Sequence, residues 1–303
     1  MQDVTKIIAS VKDGSLDPQE ALDAFEQPIH WLDDIAIPAK VELIPSGFHQ
    51  IDNFKILKQQ QGELVILGAR PSMGKSALMF QTAANIAKDR NVLVFSLEMD
   101  KESICRRLIA AFARVDLSAM ERFSQERLHT TRKAIEGLNL AICDQGGLDT
   151  RHLRSIAAAV HKRHPLSLVV VDYLGMLRTP GAQNKAIEVG EAARDLKDLA
   201  KDLKCPVFVG CQLNRSVEAR GRDPRSDSYG EFKPDLSDLR DSGNIEEHAD
   251  VVMFISRPDY YDRNKRPGEA DVSVAKNRNG EVGEFTLRFN KPQVRFSDDS
   301  ISI

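Results

Sequence analysis

Short apolar runs and amphipathic stretches alternate along most of the chain from residue 47 onward. The apolar runs predict strands at 63–68, 92–96, 138–143, 166–172 and 206–212. Stretches of helical periodicity lie between them, near 75–89, 101–114, 121–136, 150–163 and 185–204. This alternation predicts a mostly parallel α/β sheet flanked by helices, and unbroken apolar runs are typical of strands buried on both faces.

The C-terminal part has a different pattern. Four apolar runs, DVVMFI, DVSVA, EFTLRF and VRFS, follow one another without helices between them. We therefore expect the sheet to finish with antiparallel strands. The segment AKNRNGEVGEF (275–285) contains Asn279-Gly280, a strong hairpin signal, and Lys276 and Arg278 share one face of an extended chain.

The first 46 residues form a separate region. Residues 3–26 predict two short helices, with an apolar stripe in the first and an Asp17-Pro18 start signal for the second. A helical pair this small cannot bury its own stripes, so it docks on its own core or on a neighbour. Residues 27–46 hold three prolines and are interpreted as a linker. We expect an N-terminal helical region, 1–46, and one large domain, 47–303.

Composition narrows the class of protein. The 303 residues are 42% hydrophobic, enough for a large core, and the net charge of −3 means that any nucleic-acid site is local. The four cysteines form no CxxC pair and are interpreted as reduced thiols without a zinc site. The sequence shows no run of ~20 apolar residues and no signal-peptide core. We expect a soluble cytoplasmic protein without a membrane segment.

The segment 68–76, GARPSMGKS, fits the P-loop pattern GxxxxGK[ST] and stands between a predicted strand and a predicted helix. Such a loop turns backbone N–H groups toward phosphates, and the helix N-terminus adds partial positive charge. Its lysine reaches the β- and γ-phosphates, and its last hydroxyl can ligate Mg²⁺. The predicted phosphate-binding residues are Gly68, Ser72, Met73, Gly74, Lys75 and Ser76.

Three polar residues close the predicted strands. Asp172 ends the strand VVVD, and α/β folds place ligand-binding groups at the ends of such strands. We expect it to bind the metal together with Ser76. The alternative is that it caps a helix. Glu98 follows the strand after the P-loop helix and is expected to activate water, unless it only stabilises a helix N-terminus. Gln212 ends PVFVGCQ and can sense the γ-phosphate, although its spacing does not decide this.

Six segments, in the order GARPSMGKS, SLEM, VVVDYLGML, QLNRSVE, SDLRDSGNIEEHADVVMF and KNRNG, resemble the ATPase domain of DnaB-type replicative helicases. The resemblance covers about residues 45–297. It implies a RecA-like P-loop fold, ATP and Mg²⁺ as cofactors, and single-stranded or forked DNA as a partner. It also gives Glu98 the role of the catalytic carboxylate and Gln212 that of coupling nucleotide state to the DNA loops.

The resemblance assigns two further groups. Arg240, Asp241 and Gly243 match a channel loop that holds the DNA backbone; without the resemblance, the segment is interpreted as a solvent turn. Lys276 and Arg278 match residues that reach the γ-phosphate of the adjacent subunit, which implies an oligomer, in this family a ring of six. Ordinary solvated hairpin cations are the alternative.

The sequence departs from the family in three places. Family members carry an N-terminal collar domain that meets primase, and 46 residues are too few for it, so we expect that domain to be lacking. Lys58-Gln59-Gln60-Gln61-Gly62 stands where the family usually has Gly-Leu-x-x-Gly. The segment 221–232 is longer than is usual in the family. Either it contacts DNA in the channel through Arg220, Arg222, Arg225 and Tyr229, or it forms a mobile polar loop.

The expected function is therefore that of an ATP-dependent ring motor. Such a ring translocates on single-stranded DNA, 5′ to 3′ by resemblance, and unwinds the duplex; primase or a helicase loader are the implied partners. The alternative is a non-unwinding ATPase of the RecA, RadA or KaiC kind, or an accessory factor that acts with a full-length replicative helicase.

Overall fold

The computed structural model describes residues 41–179, 184–214, 217–219, 233–242 and 245–298, without the side chains of 240–242. The predicted helices at 3–26, most of the linker, the segment 221–232 and Gly243 lie outside these residues. The boundary expected between 46 and 47 therefore remains a prediction.

Nine strands make up one sheet in the described part of the chain. Their bounds agree with the apolar runs to within a few residues. They are β1 Leu64–Ala69, β2 Asn91–Ser96, β3 Leu140–Cys143, β4 Leu166–Asp172, β5 Val207–Gln212, β6 Val251–Ser256, β7 Glu269–Asn277, β8 Gly283–Asn290 and β9 Arg295–Asp298.

The longer helices lie where the 3.6-residue periodicity predicts them. In chain order the α-helices are α1 His49–Asn53, α2 Lys75–Ile86, α3 Lys101–Ala113, α4 Gln125–Glu136, α5 Thr150–Arg163, α6 Lys185–Leu203, α7 Ile245–His248 and α8 Pro258–Tyr261. Side-chain caps begin several of them: Asp100, Asp149 and Asn184 accept hydrogen bonds from the backbone of the first turns of α3, α5 and α6.

The strand order is β3-β2-β4-β5-β1-β6-β7-β8-β9. The first six strands in this order are parallel, and β6 to β9 pair antiparallel. The predicted mostly parallel sheet with an antiparallel C-terminal end is confirmed. The expectation for the run DVVMFI is wrong in part: it forms β6, which pairs antiparallel with β7 but parallel with β1. The long connection from β5 allows the chain to cross back into this parallel position.

The hairpin between β7 and β8 forms as predicted, and β9 pairs with β8 on its outer side. The turn of the hairpin differs from the expected one. Neither Asn279 nor Gly280 has a positive φ, which a tight Asn-Gly turn would require. The Asn277 side chain closes the turn instead: its Nδ2 donates to the Glu281 carbonyl, and its Oδ1 accepts from the Asn279 N–H.

Two apolar cores cover the two faces of the sheet. Val65 and Leu67 of β1 face α2, α3 and the antiparallel strands, while Leu64 and Ile66 face α5 and α6. The strand period of two divides β1 between both cores, which explains its unbroken apolar sequence. The sheet therefore holds the carboxyl end of β1, where the P-loop begins, between two rigid layers. Within the described residues, no helix is long and apolar enough to cross a membrane.

Candidate functional site

A cleft of about 390 Å³ opens at the carboxyl ends of the parallel strands. Ligands of open α/β sheets usually bind at this edge, because loops and helix N-termini converge there. The lining residues come from the P-loop and the start of α2, from α3, from the carboxyl ends of β2, β4, β5 and β6, and from the C-terminal strands and their connection. They are Ala69, Arg70, Pro71, Ser72, Gly74, Lys75, Ser76, Ala77, Glu98, Met99, Arg107, Tyr173, Gln212, Arg257, Phe289, Lys291 and Val294.

The P-loop curls through two residues of left-handed conformation. Ser72 has a φ of 65° and Gly74 a φ of 101°, and α2 begins directly afterwards at Lys75. A Cβ on Gly74 would lie 2.8 Å from the Phe296 ring, so position 74 needs glycine for both its φ and its close packing. This turn brings the first N–H groups of a 12-residue helix to the cleft, an arrangement suited to phosphate oxygens.

Lys75 and Asp172 meet at the floor of the cleft. The Lys75 Nζ donates to Oδ1 of Asp172, and the carboxylate is almost fully buried at the end of β4. Gly210, on β5 between them, leaves room for this contact: a Cβ there would lie 2.6 Å from Nζ and 2.9 Å from Oδ1. The glycine in PVFVGCQ is therefore explained by the ion pair beside it.

The second carboxylate oxygen of Asp172 is suited to a metal. Its Oδ2 is buried and finds no hydrogen-bond partner in the described part of the chain. A buried carboxylate oxygen without a donor is costly unless something positive is bound to it. Mg²⁺ prefers oxygen ligands and is usually held by one or two protein groups together with substrate phosphates. Asp172 and the Ser76 hydroxyl fit such a site.

Glu98 and Gln212 line the same cleft, and both are exposed to solvent. Tyr173 lies close to Glu98 and Asp172. Burial, followed by the negative charges of these two residues, raises the pKa of its hydroxyl. The phenol therefore remains a neutral donor at physiological pH. The Lys75 Nζ lies 5.1 Å from the centroid of the Tyr173 ring, a cation–π contact that helps to hold the lysine in the cleft.

Two of the predicted phosphate-binding residues do not line the cleft. Gly68 lies inside β1, where a Cβ would come within 2.7 Å of the Phe254 ring. Met73 is 1% exposed, and its side chain belongs to the apolar core. Gly68 thus permits close packing of β1, and Met73 anchors the loop from below.

Several cationic residues of the cleft have no counterpart among the predicted site residues. Arg257 is buried directly after β6; it forms an ion pair with Asp259, packs over the Phe289 ring at 4.6 Å and donates to the Ser72 carbonyl at 3.4 Å. Its place at a strand end is the signal that could have identified it. Arg70, which lies within the P-loop segment and forms an ion pair with Glu218, also lines the cleft. Arg107 and Lys291 add further positive charge, and no spacing in the sequence points to these two.

The comparisons with known proteins agree with this geometry. Residues 44–298 match the model of the DnaB-like helicase C terminal domain. The chain belongs to this family. It is 36% identical over 299 residues to the replicative DNA helicase DnaB of Haemophilus influenzae, and the match covers 93% of this chain and 61% of that protein. It is 38% identical over 267 residues to the DnaB of Pasteurella multocida, with 84% of this chain and 55% of that protein covered.

Two solved structures share the fold. One solved ATPase domain superposes with a TM-score of 0.77 at 29% identity, covering 93% of this chain and 99% of that one. A DnaB-like replicative helicase, solved in a study of its interactions with primase, superposes with a TM-score of 0.76 at 30% identity. The match covers 93% of this chain and 67% of that one. The RecA-like fold is thereby confirmed. The chain spans about three fifths of the length of its curated DnaB relatives.

Lys276 and Arg278 of this DnaB-like domain lie away from the cleft. Lys276 and Arg278 are near the amino end of β6, since Lys276 pairs with Val252, whereas the P-loop follows the end of β1 that pairs with Ile255. Three strand residues separate these positions, roughly 10 Å before the P-loop itself is counted. In one copy, therefore, the pair does not line the cleft.

The predicted DNA loop is only partly described in this DnaB-like domain. Arg240 and Asp241 lie in a 3₁₀ turn, Leu236–Ser242, whose Leu239 is buried in the core. α7 begins at Ile245, shortly after that turn, and leads into β6. The side chains of Arg240 and Asp241 and the whole of Gly243 lie outside the described residues, so their contact with DNA remains a prediction.

Proposed function

We propose that this chain is the ATP-hydrolysing motor part of a replicative DNA helicase, active as a ring of identical subunits on single-stranded DNA. The observation that carries the proposal is a division of the site. Lys75 and Glu98 line one cleft and the buried Asp172 pairs with Lys75, whereas Lys276 and Arg278 lie toward the opposite end of the strands. A second copy is needed to bring the two groups together.

Within one copy, the cleft binds the triphosphate. The N–H groups at the start of α2 and the Lys75 ammonium hold the β- and γ-phosphates, which requires Lys75 to turn from Asp172 toward the nucleotide. Asp172 and the Ser76 hydroxyl would hold Mg²⁺, which would neutralise charge on the phosphate oxygens. Ser72 and Gly74 supply the curled backbone around them.

Glu98 is placed to orient and deprotonate the attacking water. It is exposed in the cleft, and the described residues offer it no ion-pair partner, so its carboxylate is available as a base. Gln212 ends β5 beside the phosphate position, and β5 leads toward the segment that precedes the DNA loop. Its amide therefore couples the state of the γ-phosphate to that segment.

Lys276 and Arg278 complete the site of the adjacent subunit. Their charges neutralise the negative charge that develops on the transferred phosphoryl group, an effect of about 10³ to 10⁵ in rate where arginine fingers have been studied. Because each copy both receives and supplies such a pair, the arrangement is head-to-tail. We propose that it closes into a ring of six members, as the family relationship implies. Arg240, Asp241 and Gly243 then hold the DNA strand in the channel.

Primase is a proposed partner, because a structure similar to this chain was solved with regard to its interactions with primase. A helicase loader is a second proposed partner. Both rest on the family relationship, since the chain spans only part of its relatives.

Strand separation on a forked duplex with a 5′ single-stranded tail tests the proposed function. We expect unwinding that requires ATP, Mg²⁺ and the 5′ tail and that is lost in Lys75→Ala, with Asp202→Asn, an exposed carboxylate variant, as the unaffected control. ATP hydrolysis stimulated by DNA without strand separation would contradict the helicase proposal and favour an accessory ATPase.

A further inference from the structure

We infer that Asp250 is a positioning residue for Arg278: it holds the guanidinium in place for the catalytic site of the next subunit. The inference rests on the proposed function, because it assumes that Arg278 acts in trans. Asp250 is buried between α7 and β6, 5% exposed, and belongs to none of the predicted site residues.

The tip of the β7–β8 hairpin is fastened to the body of the domain by four consecutive side chains. The two asparagines contact one side: Asn277 donates to the Phe54 carbonyl at 3.0 Å, and Asn279 donates to Glu63 Oε1 at 2.9 Å. The two cations contact the other side, where Lys276 donates to the Glu246 carbonyl at 2.6 Å. The tip is therefore held rigidly, as a precisely acting catalytic group requires.

Arg278 has the most specific of these contacts. Its Nη1 lies 3.3 Å from Oδ1 of Asp250, and its Nη2 donates to the Glu247 carbonyl at 2.8 Å. Its backbone N–H also donates to the Asp250 carbonyl at 3.0 Å. Asp250 thus holds the backbone of Arg278 with its carbonyl and the side chain of Arg278 with its carboxylate.

These contacts leave part of the guanidinium available. An arginine has five N–H donors in a planar fork, and only two are used by the contacts within the described residues. The Arg278 side chain is 49% exposed, whereas that of Asp250 is 7% exposed. Arg278 can therefore bind an outside anion while its inner edge stays fixed, and no reorganisation is needed at the moment of reaction.

The charge of Asp250 does not cancel that of Arg278, because a second cation compensates the carboxylate. Lys197 of α6 donates to Oδ2 of Asp250 at 2.6 Å and to the Gly62 carbonyl at 2.8 Å. One carboxylate with two cations leaves a net positive cluster, to which Lys276 adds further charge. The same Oδ2 accepts the Leu64 N–H at 2.8 Å, so the cluster is attached to the beginning of β1.

Complementation between variant subunits tests the inference. Lys75→Ala subunits have a defective P-loop and an intact Arg278, whereas Arg278→Ala subunits have the reverse. Mixed and reassembled, these two should recover ATP hydrolysis at roughly one quarter of the interfaces in an equal random mixture. Asp250→Asn should hydrolyse ATP roughly 10²-fold more slowly, the cost of misplacing a catalytic group. It should still bind a non-hydrolysable ATP analogue normally and recover when mixed with Lys75→Ala.

Each result decides between the claims. Normal hydrolysis by Asp250→Asn would overturn the inference. So would a result in which Lys75→Ala subunits restore hydrolysis to Arg278→Ala but not to Asp250→Asn. Failure of Lys75→Ala to relieve Arg278→Ala would overturn the trans assignment itself. A mixture of Asp250→Asn with Arg278→Ala should stay inactive, because both lack the same function.

A second variant keeps the test valid if Asp250→Asn folds poorly. Removing the carboxylate leaves Lys197 buried without its partner, so the double variant Asp250→Asn with Lys197→Gln restores the charge balance while Arg278 remains unanchored. It should show the same loss of hydrolysis and the same recovery with Lys75→Ala. Asp202→Asn, which removes an exposed carboxylate from its contact with Arg154, is the matched control and should hydrolyse ATP normally.

Discussion

The Lys75 ammonium and the Asp172 carboxylate form an ion pair beside Gly210 of β5, where even a methyl side chain would collide with both groups. The P-loop lysine and the proposed metal-binding aspartate are thus in direct contact. Because Asp172 is buried, its charge is stabilised in the fold by Lys75. In the proposed function, nucleotide and metal binding would exchange this contact for two others.

Gly210→Ala should damage the site and spare the fold. The added methyl would lie 2.6 Å from the Lys75 Nζ, at the far end of a flexible chain that can move, and 2.9 Å from Oδ1 of Asp172. Because the Asp172 carboxylate is buried, the methyl displaces it from the position that the proposed Mg²⁺ site needs, while the backbone stays. We expect at least roughly 10-fold weaker binding of an ATP analogue, about 1.4 kcal/mol, measured by titration calorimetry. Gly137→Ala, whose Cβ would meet nothing closer than 3.6 Å, is the control. Unchanged affinity in Gly210→Ala would contradict this geometry.

Asp172→Asn should change the metal requirement of hydrolysis. An amide at this position keeps the shape but provides a weaker ligand for Mg²⁺ and no charge for it. We expect that more Mg²⁺ is needed for half-maximal ATP hydrolysis and that the maximal rate falls. Chelation of the metal should abolish hydrolysis by the unaltered protein. A Mg²⁺ titration that is the same for Asp172→Asn and the unaltered protein would exclude Asp172 as a ligand.

Arg257→Met should destabilise the domain and loosen the P-loop. The guanidinium is buried against Asp259 and the Phe289 ring and contacts the Ser72 carbonyl. Breaking a buried ion pair by removing one partner costs about 3 kcal/mol or more, because Asp259 then keeps an uncompensated charge. Urea unfolding measures this loss, and Arg266→Met, whose ion pairs are more exposed, should lose less. Equal losses in the two variants would contradict the role of burial.

Deprotonation of Lys276 should reduce ATP hydrolysis at basic pH, and it should do so at a lower pH than the usual pKa of lysine. Burial, then the charge of Arg278, lower the pKa of Lys276, so it loses its proton at a lower pH than an exposed lysine. Activity that depends on this cation therefore falls as pH rises through the lowered pKa. In Lys276→Arg, whose guanidinium stays protonated, the falling limb should move to higher pH. Matching pH–rate profiles for the two proteins would show that the charge of Lys276 is not required.

The sequence predicted most of the fold because its strands are short, apolar and separated by periodic helices. The P-loop could be located from GARPSMGKS alone, since the motif and both flanking elements are local features. Strand order is not local. Glu98 was expected near the phosphates because β2 follows the P-loop helix, yet β4 and β5 lie between β2 and β1, and Glu98 reaches the cleft from two strands further away.

The contacts between distant segments explain the features that pattern reasoning missed. Arg257 lies near Ser72 only because β6 pairs with β1, across more than 180 residues of sequence. The hairpin turn follows the Asn277 side chain and its contact with the Phe54 carbonyl, which overrides the local preference of Asn279-Gly280. Asp250 likewise acquires its importance from Arg278 and Lys197, neither of which is close to it in sequence.

The central claim, that hydrolysis needs a second copy of the chain, is tested most directly by ATP turnover per subunit across a dilution series. The mass of the assembled species is measured at each protein concentration by mass photometry. We predict that turnover follows the oligomer fraction and disappears with the monomer, because Arg278 and the P-loop of one copy lie at opposite ends of the sheet. Full turnover by the isolated monomer would contradict the claim.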